Sequence, residues 1–357
     1  MLSFQSRSRD EGESGITKPA RIPVYVVTGY LGSGKTTLIA DLLHDVEMAG
    51  TAVIVNELAE IGIDQAVIGD VQQGEVVLLS NGCLCCGRGT DLSNAVRQLI
   101  ASARQDGRKI ERILIETSGA ADPAPIVHQV CFDPELRASL RYGGVLCLFD
   151  TMFGLDLLTR DPVGYRQIAL ADMVLLTKCD LASSGAQKQA VAKVRSLNEV
   201  AVVTEERDQS RAFLSGQTGP VGAAGSQSWL GPAVETSGDT HPQEIGTWTL
   251  RIPGVLDWTR AELSMRQIYD RHGDAILRTK GLISTKGDPR PLVIHGINRH
   301  FHRPLRLKSW ESEPETRLVI IGTAQAKQAA DEISSLLQSC AENTGETATL
   351  GNLEHEI

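Results

Sequence analysis

Chemistry concentrates first in Gly29-Tyr30-Leu31-Gly32-Ser33-Gly34-Lys35-Thr36-Thr37. This stretch follows the apolar run Ile22–Val27 and leads into Leu38–Leu43, which has helical spacing. Gly29, Gly34, Lys35 and Thr36 fit G-x-x-x-x-G-K-[ST] in the strand, loop, helix setting that a phosphate-binding loop requires. In such a loop the backbone N–H groups from Gly29 through Gly32, Ser33, Gly34 and Thr37 turn inward onto phosphate oxygens. The helix start adds partial positive charge, Lys35 reaches the terminal phosphates and the Thr36 hydroxyl serves Mg²⁺. A ligand-free glycine turn is the bland alternative, and the Lys-Thr pair argues against it.

Three further stations stand at the ends of apolar runs. Glu116-Thr117-Ser118-Gly119 follows Arg112–Ile115. There a carboxylate holds the Mg²⁺ shell and the Gly119 N–H senses a γ-phosphate; a helix-capping acidic turn is the other reading. Thr177-Lys178-Cys179-Asp180 follows Met173–Leu176. The Asp180 carboxylate accepts from both N1–H and the exocyclic amine of guanine, with the Lys178 stem laid along the base, so GTP is favoured over ATP. Cys83-Leu84-Cys85-Cys86 sets three thiols within four residues. Such thiols suit Zn²⁺, Co²⁺ or Cu⁺ and leave a fourth position open; buried structural cysteines are the alternative. Glu57 and Glu60, in Asn56-Glu57-Leu58-Ala59-Glu60, are placed to join the metal held by the cysteines and to couple its grip to nucleotide state. A solvated acidic loop is the alternative. His295, His300 and His302 invite a metal reading but lack neighbouring Cys or carboxylates and read as ordinary surface histidines.

The elements that position these stations alternate between continuous apolar strands and helices, the pattern of a mostly parallel sheet covered on both faces. Strands are expected at Ile22–Val27, Thr51–Val55, Val76–Leu79, Arg112–Ile115, Gly144–Phe149, Met173–Leu176 and Val200–Val203, with a helix over Asp91–Ala103. Ligands of such sheets sit at the carboxyl ends of strands, where all the polar motifs fall. The organisation read from composition is a polar tail at 1–21, an α/β P-loop NTPase domain at 22–207 and a Gly- and Ser-rich linker or long loop at 208–243. A smaller α+β domain at 244–341 and an acidic tail at 342–357 complete it. In the second domain strands are expected at Trp248–Ile252, Ala275–Ser284, Pro291–Ile297 and Leu318–Ile321, with helices over Trp258–Arg271 and Ala324–Leu337.

The chain has 357 residues, enough for two cores, and ordinary globular composition at 41% hydrophobic and 22% charged. A net charge of −9 argues against nucleic acid or acidic membranes as partners. No apolar run suffices to span a bilayer, and Met1–Lys18 has no apolar core of a secretory signal, so the cytoplasm is the default expectation. Seven cysteines, three of them crowded together, suit metal binding better than a disulfide framework.

With these motifs in hand, the chain resembles the CobW-type GTPases, relatives of the nickel-insertion GTPases of urease and hydrogenase maturation. The likeness extends to Leu277-Arg278-Thr279-Lys280-Gly281 and Arg317–Gly322 in the second domain. It departs from the family in Leu58-Ala59, where many relatives have Phe-Gly, and in Thr177, where Asn is commoner. The resemblance implies a GTP hydrolase that uses Mg²⁺, binds Zn²⁺ (or Co²⁺) and delivers it to a client metalloprotein. By elimination the client is expected to dock on the C-terminal domain, and a homodimer is allowed. A dedicated activator of one metalloenzyme and a metal-sensing GTPase that hands nothing over are the alternatives.

Overall fold

The computed structural model describes residues 21–56, 75–78, 90–217, 245–301, 304–310 and 313–342. Its first unit is built on strand β1 (Ile22–Gly29), whose Val24, Val26 and Val27 are wholly buried. Side chains apolar on both pleat faces need cover on both, and a parallel sheet between helical layers supplies it. Helix α1 (Lys35–Leu43) follows, then β2 (Thr51–Asn56), β3 (Glu75–Leu78), α2 (Thr90–Gln105), β4 (Arg112–Thr117), α3 (Ala124–Phe132), α4 (Pro134–Ser139) and β5 (Leu140–Asp150). The unit continues through α5 (Gly154–Arg160), α6 (Val163–Leu170), β6 (Met173–Thr177), α7 (Ser184–Leu197), β7 (Val202–Thr204) and α8 (Arg207–Ser215). Among the described residues the sheet has seven strands in the order β3-β2-β4-β1-β5-β6-β7. Every pairing in it is parallel.

Register brings the stations among the described residues to one edge. Val55 lies opposite Glu116, Gly29 opposite Leu148, and Asp150 opposite Thr177. The strands expected from the apolar runs are all present. Helices α3 to α8 are not individually marked by apolar periodicity, because five of the six are nine residues or shorter.

The composition-based boundary near residue 207 needs correction. Helix α8 lies inside the span expected as linker and belongs to the first unit's core: Phe213 and Leu214 are buried, and Phe213 meets Tyr25 edge-on with ring centroids 5.5 Å apart. Ser210, Phe213 and Leu214 make one helical face at i, i+3, i+4 within an otherwise polar nonamer, so average composition hides it.

The second unit is a mainly antiparallel sheet. Strands β8 (Ile245–Ile252), β10 (Ile276–Thr285), β11 (Asp288–Ile297) and β14 (Thr316–Thr323) form its centre in the order β11-β10-β14-β8. Short strands β9 (Val255–Leu256), β12 (His300–Phe301), β13 (Leu305–Arg306) and β15 (Ala341–Glu342) lie outside that centre. Helices α9 (Trp258–His272) and α10 (Ala326–Cys340) cover one face through Met265, Tyr269, Ile333 and Leu337. The other face packs against the first unit, where Leu277, Leu282, Val293, Val319 and Ile321 share a cluster with Ala169 and Val200. No helix among the described residues is long and apolar enough to cross a membrane.

Candidate functional site

The phosphate loop leaves β1 at Gly29, which has φ 139°. A Cβ there would come within 2.4 Å of the Leu148 carbonyl oxygen, so this turn requires glycine. Lys35 and Thr36 then occupy the first turn of α1, with Thr37 beside them. The Lys35 ammonium curls back to donate to the carbonyls of Gly29 at 2.8 Å and Tyr30 at 3.2 Å. Ser33 is buried, and its Oγ has no hydrogen-bond partner among the described residues, which suits a loop shaped for an added group.

Strand β4 delivers Glu116 to the same place. Thr36 Oγ1 donates to Glu116 Oε1 at 2.8 Å, across 80 residues of sequence. One step further, the Thr117 hydroxyl donates to that of Thr28 at 2.8 Å. Gly119 backs directly onto the phosphate loop, since a Cβ there would lie 2.5 Å from the Leu31 nitrogen. A hydroxyl and a buried carboxylate in contact beside a phosphate loop form a hard oxygen donor set of the kind Mg²⁺ prefers, so Thr36 and Glu116 fit that ion.

The loop after β6 carries Lys178 and Asp180. Lys178 adopts a left-handed conformation at φ 57° and forms an ion pair with the buried Asp150, Nζ to Oδ2 2.6 Å. Its ammonium also stands 6.0 Å from the Phe153 ring centroid. Asp180 is exposed. The Thr177 hydroxyl donates to the Ser33 carbonyl at 3.0 Å, so this position braces the phosphate loop.

Sequence reasoning missed Asp150, which anchors Lys178 and also accepts from the Met152 and Phe153 amides at 2.8 and 3.2 Å. Its signal was available, as the polar residue that ends the apolar run Gly144–Phe149 at the ligand-facing edge. Also missed was Gln167 of α6, 1% exposed, which donates to the carbonyls of Gly119 and Ala121.

Glu57, Glu60, Cys83, Cys85 and Cys86 lie outside the described residues, and so does His302. The preceding strands β2 and β3 end side by side, with Val55 opposite Leu78. His295 is corrected from a surface residue to a buried one, 4% exposed. It packs on the first unit, its ring centroid 5.6 Å from that of Tyr142, because β11 turns that face toward the first unit instead of toward water. No group of three or more metal-binding side chains occurs among the described residues. The buried Cys131 and Cys147 are ill suited to ligate: burial pushes both thiols up, Cys147 to about 12, against formation of the thiolate.

Comparison with known proteins agrees with this architecture. Residues 23–205 match the family model described as CobW/HypB/UreG, nucleotide-binding domain, and residues 245–341 match the cobalamin synthesis protein cobW C-terminal domain. The chain is 31% identical over 343 residues to the zinc chaperone CobW of Pseudomonas aeruginosa, covering 85% of this chain and 88% of that one. It is 28% identical over 304 residues to the zinc chaperone YjiA of Escherichia coli, covering 84% and 94% respectively. The crystal structure of the Zn(II)-bound YjiA GTPase superposes with a TM-score of 0.68 at 23% identity, covering 90% of this chain and all of that one, which shows a shared fold. A third relative, the zinc-regulated GTPase metalloprotein activator 1 of Schizosaccharomyces pombe, is 28% identical over 348 residues, covering 84% of this chain and 82% of that one. With both of its units matching in order and its similarity running along most of its length, the chain belongs to the CobW family of P-loop nucleotide-binding proteins.

Proposed function

We propose that this chain is a GTP-hydrolysing metallochaperone that binds a transition metal, zinc before cobalt, through Cys83, Cys85 and Cys86 and hands it to a client metalloprotein. The observation that carries the nucleotide half is the Thr36–Glu116 contact, which joins the phosphate loop to the end of β4. Lys35 and the loop amides bind the phosphates, Thr36 and Glu116 hold Mg²⁺, and Asp180 selects guanine. Bound Mg²⁺ supplies charge neutralisation to the phosphates. The Gly119 N–H reports the γ-phosphate to the loop after β4.

The zinc half is supported by relatives similar over four-fifths of the chain that are zinc chaperones, together with the C-x-C-C sequence. The metal is cargo: Glu57 and Glu60 close on it in the GTP state, and hydrolysis loosens that segment. The described strands favour this coupling, because β2 and β4 run in register to the end, with Asn56 opposite Thr117. The client is proposed to dock on the C-terminal unit.

The test is turnover of GTP and ATP by metal-stripped protein under reducing conditions, with Zn²⁺, Co²⁺, Fe²⁺ or no metal added. GTP turnover is expected to respond to near-stoichiometric Zn²⁺ and to lose that response in Cys83→Ser. Turnover indifferent to every metal would leave a GTPase without a chaperone function.

A further inference from the structure

Helix α6 touches both nucleotide-facing loops and the C-terminal unit. At its start, the Tyr30 hydroxyl of the phosphate loop donates to Asp161 Oδ2 at 3.0 Å, while Asp161 Oδ1 accepts from the Val163 amide at 2.9 Å. One carboxylate thus ties the phosphate loop to the first turn of α6. In the middle, Gln167 Nε2 donates to Gly119 O at 3.1 Å and Ala121 O at 3.2 Å, and Arg166 donates to Asp122 Oδ2 at 3.0 Å. At its end, the Leu170 carbonyl accepts from Arg278 of β10. Asn198 braces the same end by donating to the carbonyls of Ile168, Ala169 and Ala171 at 2.7, 3.2 and 2.9 Å.

A buried amide that directs both of its N–H donors at carbonyls two residues apart fixes the path of that loop. Neither carbonyl can lose its donor in a dry site without cost. The loop so fixed is the one whose Gly119 presses on Leu31 of the phosphate loop. Beside α6 lies a mostly apolar cavity of about 20 Å³, lined by Tyr30, Leu158, Gly164, Gln167 and Ile168.

We propose that Gln167 is a positioning residue for GTP turnover, holding residues 117–121 in register with the phosphate loop, and that Arg278 links this register to the C-terminal unit through α6. The inference rests on the nucleotide reading above and adds to it the route by which a docked partner reaches the nucleotide. Because the fixed loop faces the γ-phosphate, its loosening falls on the GTP state and spares GDP, whose contacts are with the phosphate loop and Asp180.

The experiment measures kcat, KM and the Kd for GDP in the wild type, Gln167→Met, Arg166→Met, Arg278→Lys and the Gln167→Met/Arg278→Lys double variant. Gln167→Met keeps the volume and removes both donors. It is expected to leave GDP affinity within about twofold and to lower kcat about tenfold, the effect of one to two buried hydrogen bonds. Arg166→Met breaks a half-exposed pair and lowers kcat about threefold, so it carries the test should Gln167→Met fail to fold. Arg278→Lys alone lowers kcat several-fold, and adds nothing in the Gln167→Met background, because residues acting through one element are not additive.

A folded Gln167→Met with wild-type kcat overturns the proposal, as does a loss of GDP affinity as large as the loss in kcat. Should Gln167→Met not fold, an unchanged kcat in Arg166→Met overturns it. Fully multiplicative effects in the double variant remove the link to Arg278. Absence of GDP binding by the wild type removes the nucleotide reading itself.

Discussion

Asp180 projects from the loop after β6, one residue past Cys179, whose thiol lies 3.3 Å from the Thr151 hydroxyl. Its neighbour Lys178 is fixed by Asp150, so the loop has one end anchored and one carboxylate exposed for a ligand. A carboxylate offers acceptors only, which matches the two donors on the guanine edge. Asparagine keeps one acceptor and offers a donor in place of the other, which matches the N–H and carbonyl of xanthine. Asp180→Asn is therefore expected to lower kcat/KM for GTP at least tenfold, the loss of one bond to a charged group, about 1.5–3 kcal/mol. It should raise kcat/KM for XTP by a similar factor. Turnover measured with GTP, ITP and XTP checks this, and an unchanged GTP preference would remove Asp180 from base recognition. At this scale the sequence is informative where a motif has fixed spacing: Thr36 and Glu116, singled out by separate motifs, lie in contact, and Lys35 folds back onto the phosphate loop. Asp150 is marked only by ending an apolar run and Gln167 by nothing local, because each acts through a partner far along the chain and neither belongs to a motif of its own.

The elements were legible to different degrees for a physical reason. Parallel strands buried on both faces show as unbroken apolar runs, so the sheet and its ligand-facing edge could be read directly. Short helices such as α5 and α6 have too few turns to show a period, yet α6 and the residue leading into it contact both loops. The apolar pattern marks β10 as a strand without distinguishing its two faces. Arg278 and Lys280, two residues apart, share one pleat face that reads as solvated, and only the packed first unit shows that this face is buried. The contact between the loop after β4 and the phosphate loop is an element-scale feature with a sharp test. In Gly119→Ala the new Cβ would sit 2.5 to 2.7 Å from Leu31 backbone and side-chain atoms, so the two loops must separate. Overpacking of this kind costs about 1–3 kcal/mol, and it falls on the loop pair instead of on the sheet. The variant is expected to lose about tenfold or more in kcat/KM for GTP while its thermal unfolding midpoint moves by only a few degrees. A wild-type kcat/KM would mean that the contact has no bearing on turnover.

At the scale of the whole molecule, the two units share an interface that is apolar at Leu277, Leu282 and Val293 and ionic at its centre. Asp172, just before β6, pairs with Arg278, lies 3.2 Å from the Lys280 ammonium, and accepts from the Tyr142 hydroxyl at 2.6 Å and the Val145 amide at 3.0 Å. His295 faces the same group from β11. Burial alone would push the Asp172 carboxyl up. The Arg278 charge, then those of Lys280 and His295, and the Tyr142 hydrogen bond outweigh burial and hold it well below the usual carboxylate range. Lys280 is pushed down to about 8, first by burial and then by Arg278, against the pull of Asp172. Asp172→Asn keeps the shape but leaves two buried cations without their counter-charge, which costs about 3–5 kcal/mol at neutral pH. The pH dependence follows from linkage. Below about pH 4 the unfolded chain binds a proton at Asp172 that the native protein refuses, so the native advantage is complete above that pH and is lost as pH falls toward the depressed native value. Urea unfolding at a series of pH values should therefore show wild type and Asp172→Asn well separated at pH 7 and converging below about pH 4, with the variant's slope shallower by about one proton. A gap that stays constant down to the acid limit would mean that the asparagine disturbs packing only, and that the charge of Asp172 does not hold the C-terminal unit against the strand leading to Asp180.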